Sequence, residues 1–432
     1  MEKKIKFRQI CILLCTALLA SFCLSACAFG GKTGENSNDV GCIKILATTD
    51  LHYEAWPLAD SKTNSTTATD SLIDGSLTDA TATEKESTIR YGGLAVSYEV
   101  DLLAAFRDQI KGEGAAVLIL TGDLVQKGDD ESLYSLAEIL HDIESDGTEV
   151  LILPGNHDLR GEGQEAVNQY RDALVDFGFN QAIATDTNSL SYVAEITPTL
   201  RVLMLDTITN PDSLTEGSID DPTTTLGWIR EQLEQAREDG VRMITASHEN
   251  ILDHNSSLDN FRIVGAEEVA KLYEEYGVIA NVCGDIHIQN IREENGLTDI
   301  AEQPLSAYPN AYGVIELTED TFSYHTKKVD VEDWAKAQGL SSEILLNFTD
   351  YSLENFKDAM CGMTIYDTED EELRDYLAEA NFAFFTGRMD TFEWNEELTE
   401  WWKEEAPDTT WVYLESLRVD LGKDYTEYMK KY

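Results

Sequence analysis

Five short polar clusters punctuate the first 290 residues, and each follows an apolar, β-rich run. The run 43–47 leads into Thr48-Thr49-Asp50-Leu51-His52, and 117–120 leads into Thr121-Gly122-Asp123. The run 150–153 leads into Pro154-Gly155-Asn156-His157-Asp158. Two more follow: 243–246 before Ser247-His248-Glu249-Asn250, and 278–282 before Cys283-Gly284-Asp285-Ile286-His287. Asp50, His52, Asp123, Asn156, His157, His248, Asp285 and His287 are thereby gathered at five strand ends. Imidazole nitrogens with carboxylate and amide oxygens, and no thiolate, suit divalent metal ions. Ligands of this kind, with a carboxylate shared between two cations, are what a two-metal site requires. Only seven histidines occur in the chain; four lie in these clusters, His254 follows one, and His141 and His325 lie elsewhere.

Helical patterns separate the runs, at 97–110, 131–143, 164–177, 225–238 and 266–276. Strands alternating with helices predict an α/β fold with sheets buried on both faces. In such sheets ligands bind beyond the carboxyl ends of the strands, which is where all five clusters stand. The segments 311–317 and 322–329 alternate like an edge hairpin closing the second sheet. Gly122, Gly155 and Gly284 are expected to permit tight turns near the ligands. Residues 60–88 hold 17 Ser, Thr or Asp in 29 positions and read as a long insertion at the edge of the site, either a lid or a disordered loop.

The clusters D-x-H, G-D, G-N-H-D, S-H and a closing G-x-x-H, in this order and each after a strand, resemble the calcineurin-like metallophosphoesterase family across roughly residues 43–330. The resemblance implies a four-layer αββα sandwich with two mixed sheets. It implies two divalent metal ions (Mn, Fe or Zn), with Asp50, His52 and His287 on the first and Asn156, His248 and Asp285 on the second. Asp123 would bridge the two. His157 would be catalytic, as general acid or charge stabiliser beside the leaving-group oxygen, oriented by a carboxylate such as Asp158 or Asp129. One position departs from the family pattern G-H-x-H, because Asp285 stands where the first histidine belongs. An aspartate there can ligate and keep the second site with one extra negative charge; the alternatives are that Asp285 points away and the second metal is weak, or that the site prefers a harder cation such as Mn²⁺ or Mg²⁺. His254 and Arg160 are candidates to touch substrate phosphate, weighed against an ordinary surface histidine and a solvated arginine.

The implied reaction is hydrolysis of a small phosphoester, above all a phosphodiester of the cyclic-nucleotide kind, by a hydroxide bridging the metals. A phosphomonoesterase or nucleotidase on the same centre is the first alternative, and a non-catalytic surface protein binding metal or a partner is the second.

Composition sets the surroundings. The 432 residues carry 81 Asp and Glu against 32 Lys and Arg, a formal charge of −49. Such a polyanion is repelled by nucleic acid, which excludes non-specific nucleic-acid binding as a main function. Lys3, Lys4, Lys6 and Arg8 precede a short apolar run ending Leu24-Ser25-Ala26-Cys27. That is the pattern of a signal peptide over 1–26, too short to span a bilayer. The L-S-A-C ending resembles a bacterial lipobox, which implies lipidation at Cys27 and anchoring on the outer face of the cell membrane. Cleavage there removes four basic residues and one acidic one and takes the charge to −52. Residues 27–42 read as a flexible tether. Cys42, Cys283 and Cys361 remain, an odd number that is expected to be mostly buried thiols. Residues 331–432 change character, with no histidine, five of the seven tryptophans and helical spacing at 371–385 and 391–403. They predict a small all-α C-terminal domain packed through its aromatics.

Overall fold

The computed structural model describes residues 41–55, 93–95, 98–161, 163–258, 261–362, 368 and 370–432. The expected signal segment 1–26, the expected lipidation site Cys27, nearly all of the expected tether and the insertion 60–88 lie outside the described residues.

Strand β1 (Ile43–Thr48) carries an alternating set of side chains, all but one of them buried. Leu46 points into one cluster with Leu118, Leu120, Val150 and Ile152, whereas Ile45 and Ala47 point into another with Val117, Ile119 and Leu151. That two-residue period comes from the pleat, and a strand buried on both faces must be apolar throughout. β2 (Val117–Leu120) and β3 (Glu149–Ile152) run parallel beside it. On the other side, β11 (Ala311–Leu317), β12 (Thr321–Lys328) and β13 (Glu427–Lys431) continue the sheet antiparallel. The hairpin 311–328 thus joins the sheet of β1 and not the second sheet, and it is internal because β13 covers its outer strand.

The second sheet has the order β4-β5-β6-β7-β8-β10-β9. Its core is the parallel set β6 (Leu200–Leu205), β7 (Arg242–Ser247), β8 (Asn281–Cys283) and β10 (Leu297–Ala301). β4 (Ala184–Thr185), β5 (Tyr192–Thr197) and β9 (Asn290–Glu294) complete it antiparallel.

Three cores define four layers. Helices α1 (Glu99–Ile110), α2 (Asp130–Ser145) and α3 (Gln164–Leu174) cover the outer face of the first sheet. Val202, Met204, Ile244, Ala246 and Ile300 of the second sheet meet Ile45, Val117 and Ile315 of the first. Helices α4 (Thr225–Asp239) and α5 (Ala266–Tyr276) cover the second sheet through Ile229, Leu233, Val269 and Tyr273. Local signals set helix ends: the Asp129 carboxylate accepts from Ser132 N–H at the start of α2, and α4 stops at Gly240 in the left-handed region.

The C-terminal helices are α6 (Val331–Ala337), α7 (Phe348–Gly362), α8 (Glu371–Phe385), α9 (Glu396–Glu405) and α10 (Thr410–Ser416). Aromatic packing dominates, with Phe356, Tyr376, Phe384, Trp402 and Tyr413 buried together. Cys283 of the second sheet and Ile286 and Ile288 of the loop after it share that core. The region is not purely helical, since β13 lies at its end. Arg292 on β9 pairs in two-pronged fashion with the fully buried Asp420, at 2.6 and 3.0 Å, and donates to the His254 carbonyl at 2.6 Å. Of the three cysteines among the described residues only Cys283 is buried; Cys42 and Cys361 are exposed, so most of these thiols do not serve as core residues.

Candidate metal centre

The backbone hydrogen-bond ladder between β1 and β2 continues past both strands into the polar clusters. Asp50 N–H donates to Gly122 O, His52 N–H to Asp123 O and Tyr53 N–H to Leu124 O, at 3.1, 2.9 and 3.1 Å. Asp50, His52, Asp123, Asp285 and His287 all have φ between 47 and 63°. Non-glycine residues rarely adopt this left-handed conformation, and each costs about 1 kcal/mol or more that surrounding contacts must offset. The effect is to turn consecutive acidic and imidazole side chains toward one point.

The two sheets are stitched together there. His248, at the end of β7, donates its Nδ1–H to the Thr121 carbonyl after β2, at 2.8 Å. Asp285 N–H, after β8, donates to Asp50 Oδ2 at 3.1 Å, and Thr49 Oγ1–H donates to the same oxygen at 2.7 Å. Ser306 Oγ donates to the Asp50 carbonyl at 3.1 Å.

What converges is a set of bare donor atoms. His287 Nε2 lies 3.2 Å and His52 Nε2 3.8 Å from Asp50 Oδ1, and the two nitrogens are 3.4 Å apart. On the other side, His248 Nε2 lies 3.2 Å from Asn156 Oδ1, 3.6 Å from Asp123 Oδ1 and 3.6 Å from Asp285 Oδ1. Asp123 spans both halves, because its Oδ2 is 3.8 Å from His52 Nε2 while its Oδ1 faces His248. Donor atoms of Asp50, His52 and His287, of His52, Asp123 and His157, and of Asp50, Asp123 and His248 lie within 4.8 Å of one another. Asp285 is outside these tightest groups and approaches through His248. Two imidazoles aiming the same nitrogen at one carboxylate oxygen, with His248 Nδ1–H engaged so that Nε2 is the nitrogen that can ligate once it gives up its proton, is a donor set that fits divalent cations.

The electrostatics follow from burial. Burial penalises the charged Asp50 carboxylate, but His287, His248 and His52 outweigh that and hold it well below the carboxylate range. Burial and then the neighbouring His287 push His52 down to about 4. Burial also disfavours charge on His248, yet Asp123, Asp50 and Asp285 raise it to about 9. Burial raises Asp285, reinforced by Asp50 and Asp123.

The motif glycines act mainly by absence. Gly122 has φ 108° and packs on the His248 ring, where a Cβ would come within 2.6 Å of Nδ1. Gly155 and Gly284 do not have positive φ, so the expected turn requirement gives way to close approach. A Cβ on Gly155 would sit 2.2 Å from both the Asp123 nitrogen and Oδ1; one on Gly284 would sit 1.9 Å from Thr49 Oγ1.

Several sequence expectations change. Asp158 does not orient His157. Its Oδ1 accepts from Val125 N–H and its Oδ2 from Gly155 N–H, both at 2.8 Å, so it ties together the loops that carry Asp123 and Asn156. Burial and then Asp123 raise it to about 7. Asp129 caps α2. The group that orients His157 is the Gln126 carbonyl, which accepts from Nδ1–H at 3.1 Å. That turns Nε2 toward Asp123 Oδ2, 3.9 Å away, with the ring half-exposed. His254 is fully buried between Asn290 Oδ1 at 3.1 Å and Asp299 Oδ2 at 3.4 Å, so it cannot touch a substrate in solution. Arg160 is exposed beyond the Asp158 turn. Sequence reading also passed over Asp206, which ends β6 and accepts from the Leu190, Ile208 and Thr209 N–H groups. The apolar run ending in Asp206-Thr207 was the available signal.

A family model described as calcineurin-like phosphoesterase matches residues 43–289, from β1 to just past His287. Among solved structures, the chain is similar to a dimetal phosphatase from Danio rerio at 14% identity, covering 66% of this chain and 96% of that one, with a TM-score of 0.46. It is also similar to a purple acid phosphatase from yellow lupin seeds at 12% identity, covering 67% and 52%, with a TM-score of 0.42. No curated protein matches in sequence.

Proposed function

Since the chain belongs to the calcineurin-like phosphoesterase family, we propose that it is a metal-dependent hydrolase acting on small phosphodiesters such as cyclic nucleotides. The observation that supports this best is the Asp123 carboxylate, with one oxygen toward His52 and the other toward His248. Asp50, His52 and His287 would hold one divalent cation, and Asn156, His248 and Asp285 the other. Mn²⁺ or another first-row metal suits the mixed nitrogen and oxygen set. When bound, the pair supplies Lewis-acid charge against phosphate oxygens and lowers the pKa of water.

The residues themselves do the rest. Rigid seating of Asp50 and His248 by Thr49, Asp285 N–H and the Thr121 carbonyl fixes the donors before any substrate arrives. His157 is half-exposed; its Nδ1–H is engaged by the Gln126 carbonyl, which leaves Nε2 to carry a proton to the departing oxygen. An anchor through Cys27 would place this activity on the outer face of the membrane, where it would process external phosphoesters.

The test is a panel of cyclic nucleotides, bis(4-nitrophenyl) phosphate, nucleoside monophosphates and 4-nitrophenyl phosphate, assayed with Mn²⁺, Zn²⁺ and Fe²⁺. Turnover of diesters above monoesters, falling 10²-fold or more in His157→Ala, is the expected result. Preference for monoesters would shift the assignment to a phosphomonoesterase or nucleotidase. No turnover with any metal would leave a non-catalytic binding protein.

A further inference from the structure

The two halves of the centre differ in their donor atoms. Around Asp50 Oδ1 stand two imidazole nitrogens, whereas around His248 Nε2 stand three oxygens, from Asn156, Asp123 and Asp285. Three carboxylates therefore converge on the site: Asp50, Asp123 and Asp285. Among the described residues, every ion-pair partner of these three carboxylates is a histidine. The neighbouring acids Glu249 and Asp158 add no positive charge. Two divalent cations would carry four positive charges into a cradle of three carboxylates, so the charge balance of the loaded site turns on single units.

We propose that the Asp285 carboxylate sets the charge preference of the site, admitting phosphodiester monoanions and holding back phosphomonoester dianions. This rests on the phosphoesterase reading above and names its substrate class. A neutral residue at 285 would leave the loaded centre one unit more positive. A monoanion would gain that unit once and a dianion twice, so removing the charge favours the dianion by one Coulomb interaction. At about 6 Å, with an effective dielectric constant of about 40 between the surface and bulk-water values, this changes the preference about tenfold.

The experiment compares wild type, Asp285→Asn and Asp285→His, each loaded with Mn²⁺ and analysed for metal content. Titration calorimetry at pH 8.5 measures the affinities of orthophosphate, a dianion, and dimethyl phosphate, a monoanion. The kcat/KM ratio of 4-nitrophenyl phosphate to its bis ester is read alongside. Asp285→Asn should raise the dianion-to-monoanion affinity ratio about tenfold with both metals retained. A ratio within twofold of wild type in a variant holding both metals overturns the proposal. If Asp285→Asn loses a metal, Asp285→His restores a nitrogen donor without the charge and carries the same expectation. Metal loss from both variants overturns it, because the carboxylate would then act through metal retention and not through its charge on the loaded centre. Failure of either anion to bind wild type overturns it as well. Absence of turnover in wild type would sink the phosphoesterase reading alone, since the affinity ratio still reports on charge.

Discussion

Replacing Gly155 by alanine tests whether the centre is held by close packing. The added Cβ would lie 2.2 Å from the Asp123 nitrogen and 2.2 Å from its Oδ1. Ordinary contact between such atoms begins near 3.3 Å, so the loop after β3 and the loop after β2 must part by about 1 Å. The Asp158 carboxylate, bonded to Gly155 N–H and Val125 N–H, resists that separation. Overpacking of this kind costs about 1–3 kcal/mol. In a domain of this size each kcal/mol lowers Tm by roughly 2–4 °C, so a fall of about 2–12 °C in the metal-free protein is expected. The displaced atom is the proposed bridging oxygen, and a misplacement of about 1 Å can cost about 10²-fold in rate. Calorimetry, circular dichroism at room temperature, metal analysis and kcat/KM should show a folded protein that binds less than two metals and is at least about 10²-fold slower. Wild-type Tm, two retained metals and activity within threefold would refute the packing argument.

Two other perturbations follow from the same structure. Arg292→Met leaves the buried Asp420 carboxylate without its cation, which should cost about 3–5 kcal/mol in urea unfolding; a loss under 1 kcal/mol would contradict the buried pairing. Metal binding should release protons, because the metal-free pocket raises His248 to about 9 and a ligating imidazole must be neutral. Apparent affinity should therefore rise with pH up to about 9, by up to tenfold per unit for this one proton. Calorimetry in buffers of different ionisation enthalpy reads the release, and a pH-independent affinity between 6 and 8 would contradict it.

Much of the site could be read in the sequence because its ligands follow apolar strands whose burial on both faces leaves an unmistakable hydrophobic run. Helices with strong apolar periodicity were equally legible, with 266–276 and 371–385 matching the observed bounds. What escaped was structure whose partner lies far along the chain. β13 reads Glu427-Tyr428-Met429-Lys430-Lys431, three of its five residues charged, and is a strand only because the edge of β12 offers unpaired backbone groups. The role of His254 depends on Asp299, which local pattern cannot place beside it. Asp158 belongs to the most specific motif, yet its position gave no sign that both oxygens would be used by backbone amides.

The order of strands in the first sheet has a kinetic consequence. β1 is its interior partner for both β2 and β11, with Ile43 opposite Leu317, and β13 is added from the last residues. A chain emerging from the ribosome can pair β1, β2 and β3 early, but one edge of β1 must wait for more than 250 further residues. Closing so long a loop is slow, and the waiting edge is open to wrong pairing. Refolding from denaturant should thus show a late phase in which β11 pairs with β1 and Ser306, just before β11, reaches the Asp50 carbonyl. The capacity to hold metal would appear in that last step, not with the bulk of secondary structure.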